Sequence, residues 1–383
     1  MRRTVFDEDH ESFRQTIRSF IEAEVVPHYQ EWFEQGIVPR DFYLKLGELG
    51  TFGIEVPEEY GGAGIESFKF AAVQYEEMSR AGVSFGGSST HVALCLPYIL
   101  KLATEEQKKR WLPGFVTGET MFAIAMTEPG TGSDLAGMTT TAKRDGDGYV
   151  LNGAKTFITG GVHADRVIVC ARTSPPLENN RRFGISLFVV DTTSDGYTVG
   201  RKLDKIGLRT SDTAELSFSD VRVPAEDLLG EENEGFGYLG QNLPQERLGI
   251  AFGAYAQAAA AVRFTTQYVE ERKVFGQPVA HFQNTKFELA ACQAEVDAAQ
   301  AVADRALEAH DLGQLTAVEA ASAKLFCTEV ASRVIDRCLQ LHGGYGYMNE
   351  YPIARLYADN RVNRIYGGTS EVMKLIIAKS MGL

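Results

Sequence analysis

Residues 145–161 read DGDGYVLNGAKTFITGG. Asp-Gly and Gly-Gly pairs bracket a run of apolar, aromatic and β-branched residues, the pattern of a strand between tight turns. RVIVCAR (166–172), ISLFVVD (185–191) and AELSFSDVRVP (214–224) repeat it between further turn clusters. They predict a small antiparallel β unit over residues 119–235.

On either side the apolar period becomes helical. FRQTIRSFIEAEVV (13–26) spaces apolar residues three and four apart. Pro27 and PEEYGGAG (57–64) interrupt the pattern, ALCLPYILKLATEEQKKRWLPGF (93–115) resumes it, and Pro113 with Gly114 ends it. Beyond residue 235 come three Ala-rich runs: AYAQAAAAVRFTTQYVEER (254–272), TKFELAACQAEVDAAQAVADRALEAH (285–310) and TAVEAASAKLFCTEVASRVIDRCLQLHGG (316–344). Such runs predict an antiparallel bundle with close helix approach. The expected fold is α+β, mostly α, with a helical domain over 1–118, a β domain over 119–235 and a helical bundle over 236–383.

The 383 residues leave room for two or three packing units and a large core. A net charge of −13 favours solubility and argues against nucleic acid or an anionic membrane as the main partner. MRRTVFDEDHESFRQ at the start lacks the apolar core of a signal peptide, and no run of about 18 apolar residues occurs. A cytoplasmic protein is expected. The five cysteines are scattered without CxxC spacing, and the seven histidines show no metal-ligand spacing. Buried, reduced thiols and no metal site are expected.

Four stretches could carry chemistry. TEPGTGSDLAG (127–137) places Thr127, Ser133 and glycines between strand-like segments, where free N–H groups could meet a phosphate. It is not GxGxxG and opens no βαβ unit, so a dinucleotide fingerprint is excluded, and on composition alone a plain β-turn loop is the better account. ERKVFGQPVAHFQNTKF (271–287) sets Arg272, Lys273 and His281 near Phe275, Phe282 and Gln283. Arginine can clamp a pyrophosphate, but a helix–turn–helix corner with basic residues at a helix end also explains it. LQLHGGYGYMNEYP (339–352) alone reads as a helix C-cap with aromatic packing. In NLPQERLGIA (242–251), Glu246 and Arg247 fall in the first turn of a helix after Pro244, a place any acid favours.

In their order and spacing these stretches resemble the acyl-CoA dehydrogenase family. MTEPGTGSD, NGAKTFITGG, ERKVFGQPV, LQLHGGYGYMNEYP and YGGTSE each look like a family signature, and the resemblance covers nearly the whole chain. The C-terminal half looks closest to the long-chain and isovaleryl branches. The resemblance implies helical, β and four-helix-bundle domains in that order, and FAD held without a Rossmann unit. By position it implies Thr127, Ser133, Phe157 and Thr159 at the flavin and its ribityl chain, with Thr369 also at the cofactor. Arg272, Phe275, Gln283 and the Gln340–Gly344 segment, including Gly343, would hold the adenine and pyrophosphate of a neighbouring subunit's FAD. A homo-oligomer, usually a tetramer, follows. The implied reaction is α,β-dehydrogenation of an acyl-CoA in fatty-acid β-oxidation, with electron-transfer flavoprotein as acceptor. Ser133, Pro244, Gln245, Arg247 and Gly368 would meet the substrate. An oxidase of the same fold, an acyl-carrier-protein thioester as substrate, or a non-catalytic acyl-CoA binder are the alternatives.

The chain departs from the family in RIYGGTSEV (364–372). Many members carry the catalytic glutamate directly after this tyrosine, where Gly367 stands here. Glu371 is near but belongs to the first turn of the following helix, where the dipole suits an acid. In the long-chain and isovaleryl branches the base enters from the helix that carries NLPQERL, which implies Glu246 as base and Gly367 as the residue that leaves it room. The Gly367 N–H remains available to a thioester oxygen. HVALCLPYI (91–99) is expected to line the acyl pocket.

Overall fold

The computed structural model describes residues 3–383. Ahead of the sheet lie α1 (Glu8–Phe20), α2 (Tyr29–Gln35), α3 (Arg40–Glu48), α4 (Lys69–Ala81), α5 (Leu96–Leu102) and α6 (Glu105–Thr117). Wider π-type turns, Ile21–Val25 and Thr90–Cys95, continue α1 and lead into α5. Pro113 does not end α6. The helix runs on to Thr117 and stops at Gly118, whose φ of 74° gives the left-handed cap that glycine adopts without strain. One proline costs a helix a single N–H bond; the left-handed residue stops it.

The strands are β1 (Phe122–Ala125), β2 (Thr141–Asp145), β3 (Gly148–Thr159), β4 (Arg166–Arg172), β5 (Ile185–Asp191), β6 (Tyr197–Lys202), β7 (Thr213–Pro224) and β8 (Leu228–Leu229). The main path is β6-β7-β3-β2-β4-β5-β8. The sheet is mixed rather than antiparallel, because β1 runs parallel to β4 with Phe122 opposite Arg166 and Ala125 opposite Val169. β1 is four fully buried residues, too short to show alternation. The β2–β3 hairpin forms the long crossover that a parallel pair requires. His91 ties the two domains together. Its Nδ1 accepts from the Phe122 N–H at 3.0 Å, and its Nε2–H donates to the Phe115 carbonyl at 3.1 Å. Burial holds its pKa down at about 3, so the ring serves as a neutral strut.

The third layer is α7 (Gly235–Glu271), α8 (Gln283–Asp311) and α9 (Ala317–His342), with the shorter α10 (Pro352–Asn360) and α11 (Ser370–Ser380) against α9. Ala251, Ala254, Ala258, Ala261, Ala299, Ala303, Ala323 and Ala331 are buried among them, so small side chains allow the close approach expected. Two further expectations are corrected. Pro244 lies within α7, which begins at Gly235, so Glu246 sits in the helix interior rather than its first turn. Residues 273–278 form a β-hairpin, β9 (Lys273–Val274) with β10 (Gln277–Pro278), not a corner between helices. Phe275 and Gly276 both take positive φ, 50° and 81°, as a two-residue hairpin turn demands.

Candidate active site

Placing Glu246 inside α7 turns its carboxylate into the junction of the domains. The residue is 8% exposed, and its Oε1 accepts from the Tyr98 hydroxyl of α5 at 3.3 Å. Tyr98, Cys95 before α5 and Cys170 of β4 are fully buried, and the Glu246 charge pushes both thiols further up. Burial raises the Glu246 pKa to about 7; the Tyr98 bond and Arg247 oppose that rise only in part. No carboxylate lies within 4.0 Å of Arg247 among the described residues. The site therefore holds one carboxylate poised near neutrality in an apolar wall. One turn earlier, Asn242 accepts from Lys101 Nζ at 3.0 Å and fixes α5 against α7.

The turn before α11 faces the same part of α7. Arg247 Nε donates to the Gly367 carbonyl at 3.3 Å. A Cβ on Gly367 would stand 2.4 Å from Ile250 Cδ1, and φ is +62° there and +96° at Gly368. A side chain at 367 would thus carry left-handed strain of roughly 1–2 kcal/mol and displace Ile250. Lys324 of α9, also buried, donates to the Tyr366 and Gly368 carbonyls. Thr369 caps α11 by accepting from Val372 N at 3.3 Å. Glu371 is exposed at that helix start, and its own backbone N–H and then Thr369 hold its pKa below the usual range. It is a cap-region acid.

A second group of residues lies on the sheet. Thr156 N donates to the Thr127 carbonyl at 2.9 Å, and Lys155 Nζ meets Glu128 Oε1 at 3.0 Å with both side chains buried. Burial would push Glu128 up, but Lys155 and the Thr139 and Thr140 donors outweigh it and hold the pKa at about 2. The two loops carrying TEPG and KTF are thus pinned to each other. β3 bulges between Lys155 and Ile158, and Phe157, at φ 60°, turns its ring outward with 67% exposure. Ser133 is exposed on the same loop, and Thr159 is half-buried.

A cavity of about 520 Å³ lies between the end of α7, β9 and the end of α9. Arg272, Gln340, Gly343 and Gly344 line it, beside His342 and Tyr345. His342 stacks on Tyr268 at 4.1 Å, and its Nδ1 is buried without a partner. Phe275 and Gln283 stand outside the lining. Phe275 is 96% exposed at the hairpin tip, and Gln283 is exposed at the first residue of α8. Of the substrate candidates, Gln245 and Arg247 are buried beside Glu246, and Pro244 and Gly368 are half-buried. The described residues hold no helix long and apolar enough to cross a membrane.

Residues 7–119 match the acyl-CoA dehydrogenase N-terminal domain, residues 123–221 its middle domain and residues 233–382 its C-terminal domain. The chain belongs to the acyl-CoA dehydrogenase family. The long-chain specific acyl-CoA dehydrogenase of Sus scrofa mitochondria is 45% identical over 99% of this chain and 88% of that protein. The acyl-CoA dehydrogenase from Geobacillus kaustophilus is 48% identical, with a TM-score of 0.96 over 99% of both chains. A glutaryl-CoA dehydrogenase from Mycobacterium smegmatis, solved in complex with FADH2, is 31% identical with a TM-score of 0.89 over 98% of this chain and 95% of that one. The family is FAD-dependent, and this acyl-CoA dehydrogenase homologue is an oxidoreductase.

Some parts of the site escape a reading from sequence. Tyr98 sits in HVALCLPYI, but nothing in that run marks which residue meets Glu246. Glu128 and Lys155 sit inside the quoted signatures, yet their pairing across 27 residues needs the fold. Lys324 carries a weak signal. It shares a helical face with the apolar positions Ala320, Cys327 and Ala331, so the period buries it.

Proposed function

We propose that the protein catalyses FAD-dependent α,β-dehydrogenation of an acyl-CoA thioester to the trans-2-enoyl-CoA, with Glu246 as the base. The observation that carries this reading is a buried carboxylate with a pKa near 7, beside a glycine turn whose N–H groups find no acceptor among the described residues. A thioester α-proton is weakly acidic. A base poised near neutrality and a donor for the carbonyl oxygen are what its removal needs. Glu246 takes the α-proton, and the Gly367 N–H donates to the thioester oxygen. The closed wall of Cys95, Tyr98 and Cys170 keeps water from the base. Bound FAD supplies the acceptor for the hydride that leaves the β-carbon.

The residues present suit that cofactor. Thr127 and Ser133 in the loop after β1 and Phe157 and Thr159 at the end of β3 offer hydroxyls and an outward ring, with Thr369 near the turn. Arg272, Gln340, Gly343 and Gly344 wall the cavity of about 520 Å³, where the His342 Nδ1 lacks a partner. An arginine and backbone amides suit a diphosphate. Phe275 and Gln283 stand exposed, and together with Arg272 and the Gln340–Gly344 segment they serve the adenine and pyrophosphate of a second subunit's FAD in a homotetramer. Ser133, Pro244, Gln245, Arg247 and Gly368 meet the substrate. Electrons pass to an electron-transfer flavoprotein, and place the reaction in fatty-acid β-oxidation.

Anaerobic mixing with acyl-CoAs of graded length and branching tests the reading. Flavin bleaching with at least one thioester is expected, with no peroxide released on admitting air. Glu246→Gln keeps the side-chain shape and removes the basic oxygen. Its reduction rate should fall by several orders of magnitude, on the order of 10⁴-fold, while thioester affinity changes little. Near-normal bleaching in Glu246→Gln places the base elsewhere.

A further inference from the structure

Lys324 is a buried cation that the proposed chemistry does not use. Its side chain is enclosed among α9, α11 and the turn between α10 and α11, and the residue is 1% exposed. Burying an ammonium without a counter-charge is costly, and buried lysines normally face a carboxylate. Among the described residues, no carboxylate lies within 4.0 Å of this one. Its hydrogen bonds go to two backbone carbonyls, Tyr366 at 2.8 Å and Gly368. Burial and then the nearby Arg247 charge lower its pKa to about 8, so the group remains mostly protonated at neutral pH.

Those two carbonyls flank Gly367, and the third carbonyl of the turn is held from the other direction. Gly367 O accepts from Arg247 Nε at 3.3 Å. In a trans peptide unit the C=O and the following N–H point in opposite directions. Holding the Tyr366 oxygen on Lys324 therefore aims the Gly367 N–H away from Lys324. Holding the Gly367 oxygen on Arg247 likewise sets the Gly368 N–H. Both N–H groups belong to glycines at φ +62° and +96°, residues that tolerate many other conformations. Without external holds this double-glycine turn has no intrinsic preference for the observed orientation. A helix start alone does not need this lysine, because Thr369 already caps α11.

We infer that Lys324 is a positioning residue for the dehydrogenation: it clamps the Tyr366 and Gly368 carbonyls so that the Gly367 N–H stays aimed at the thioester oxygen. The inference rests on the reading of Gly367 N–H as the donor given under Proposed function. The role differs from packing, because it acts on the polarisation of a bound carbonyl. It also explains the choice of residue. A cation satisfied by carbonyls stabilises the turn without neutralising Glu246, whose bond to Tyr98 is its only side-chain hydrogen bond among the described residues.

The test uses the flavin-loaded protein and an acyl-CoA carrying sulfur in place of its β-carbon, ¹³C-labelled at the thioester carbonyl. Such a molecule binds without losing hydride. Infrared difference spectra then read the carbonyl stretch directly. In the wild type the bound carbonyl should move to lower wavenumber than in solution. In Lys324→Met most of that displacement should vanish, and kcat for the true substrate should fall on the order of 10² to 10³-fold, the loss seen when an oxyanion donor is removed, with KM little changed. Lys324→Gln retains an amide N–H donor and should fall between the two. It also carries the test if the methionine variant does not accumulate with flavin. A wild-type displacement preserved in both variants would overturn the lysine assignment alone. An undisplaced carbonyl in the wild type would overturn the donor role of Gly367, and this inference with it. Failure of both variants to yield flavinated protein would mark Lys324 as a requirement of folding and also overturn its assignment.

Discussion

At the scale of single residues, Glu246 carries a conflict between stability and chemistry. Its basicity comes from burial, and burial penalises the charged form. The pKa is about 7 in the folded chain and near the ordinary 4.5 when unfolded. Between those values the folded state binds more protons than the unfolded one. Stability from this group is present below about pH 4.5 and is lost as pH rises through 7. The full difference is about 3 kcal/mol. Glu246→Gln removes the ionisable group, so at pH 8 it should melt above the wild type, and the gap should close toward pH 5. Thermal melts across that range check this without any substrate. In the active enzyme, kcat/KM should rise with pH through about 7 as the carboxylate ionises. A profile flat from pH 5 to 9 would remove Glu246 as the titrating base. Glu371→Gln should alter neither profile, since that carboxylate stands in solvent at a helix start.

At the scale of elements, the sheet loops depend on one buried ion pair. Lys155 of β3 and Glu128 within TEPG meet at 3.0 Å, and Lys155 also donates to the Met126 carbonyl at 3.0 Å. Breaking a buried pair by removing one partner leaves the other charge stranded, at a cost of about 3–5 kcal/mol. Lys155→Met should lower the melting temperature markedly and weaken flavin retention, measured as absorbance per chain after gel filtration. Retained flavin with an unchanged melt would show that the pair does not organise the loops. The exposed Phe157 follows from the same region. The bulge that flips it lies two residues beyond Lys155, so the anchor and the projecting ring are coupled by the strand.

At the scale of the whole molecule, the cavity near Arg272 bears on assembly. Arg272 is exposed, and its guanidinium lies 5.4 Å from the Tyr345 ring centre, at the mouth of a space walled by α7, β9 and α9. Phe275 at 96% exposure and Tyr347 at 85% are large rings left in water in the isolated chain. Arg272→Ala should weaken FAD retention, and light scattering should show a smaller assembly where cofactor is lost. Wild-type protein that scatters as a monomer with one FAD per chain would contradict a cofactor shared between subunits.

Local grammar was enough for much of this protein. Turn pairs around 145–161 and Ala-rich periods after 254 mark sheet and bundle, because side-chain period is a property of the local chain. The signature stretches identify the family, and Gly367 in YGGTSE is legible as a glycine directly after Tyr366, where the family resemblance leads one to expect a glutamate. Tertiary structure decided what depends on distant contacts. Pro244 looked like a helix start, but packing carries α7 through it from Gly235. Four buried residues at 122–125 gave no sign of pairing parallel to β4. No sequence pattern reveals that Tyr98 reaches Glu246 across 148 positions, or that Lys324 holds a turn 42 residues away. Burial and hydrogen-bond partners belong to the packed chain. The basicity of Glu246, which arises from both, could only be read there.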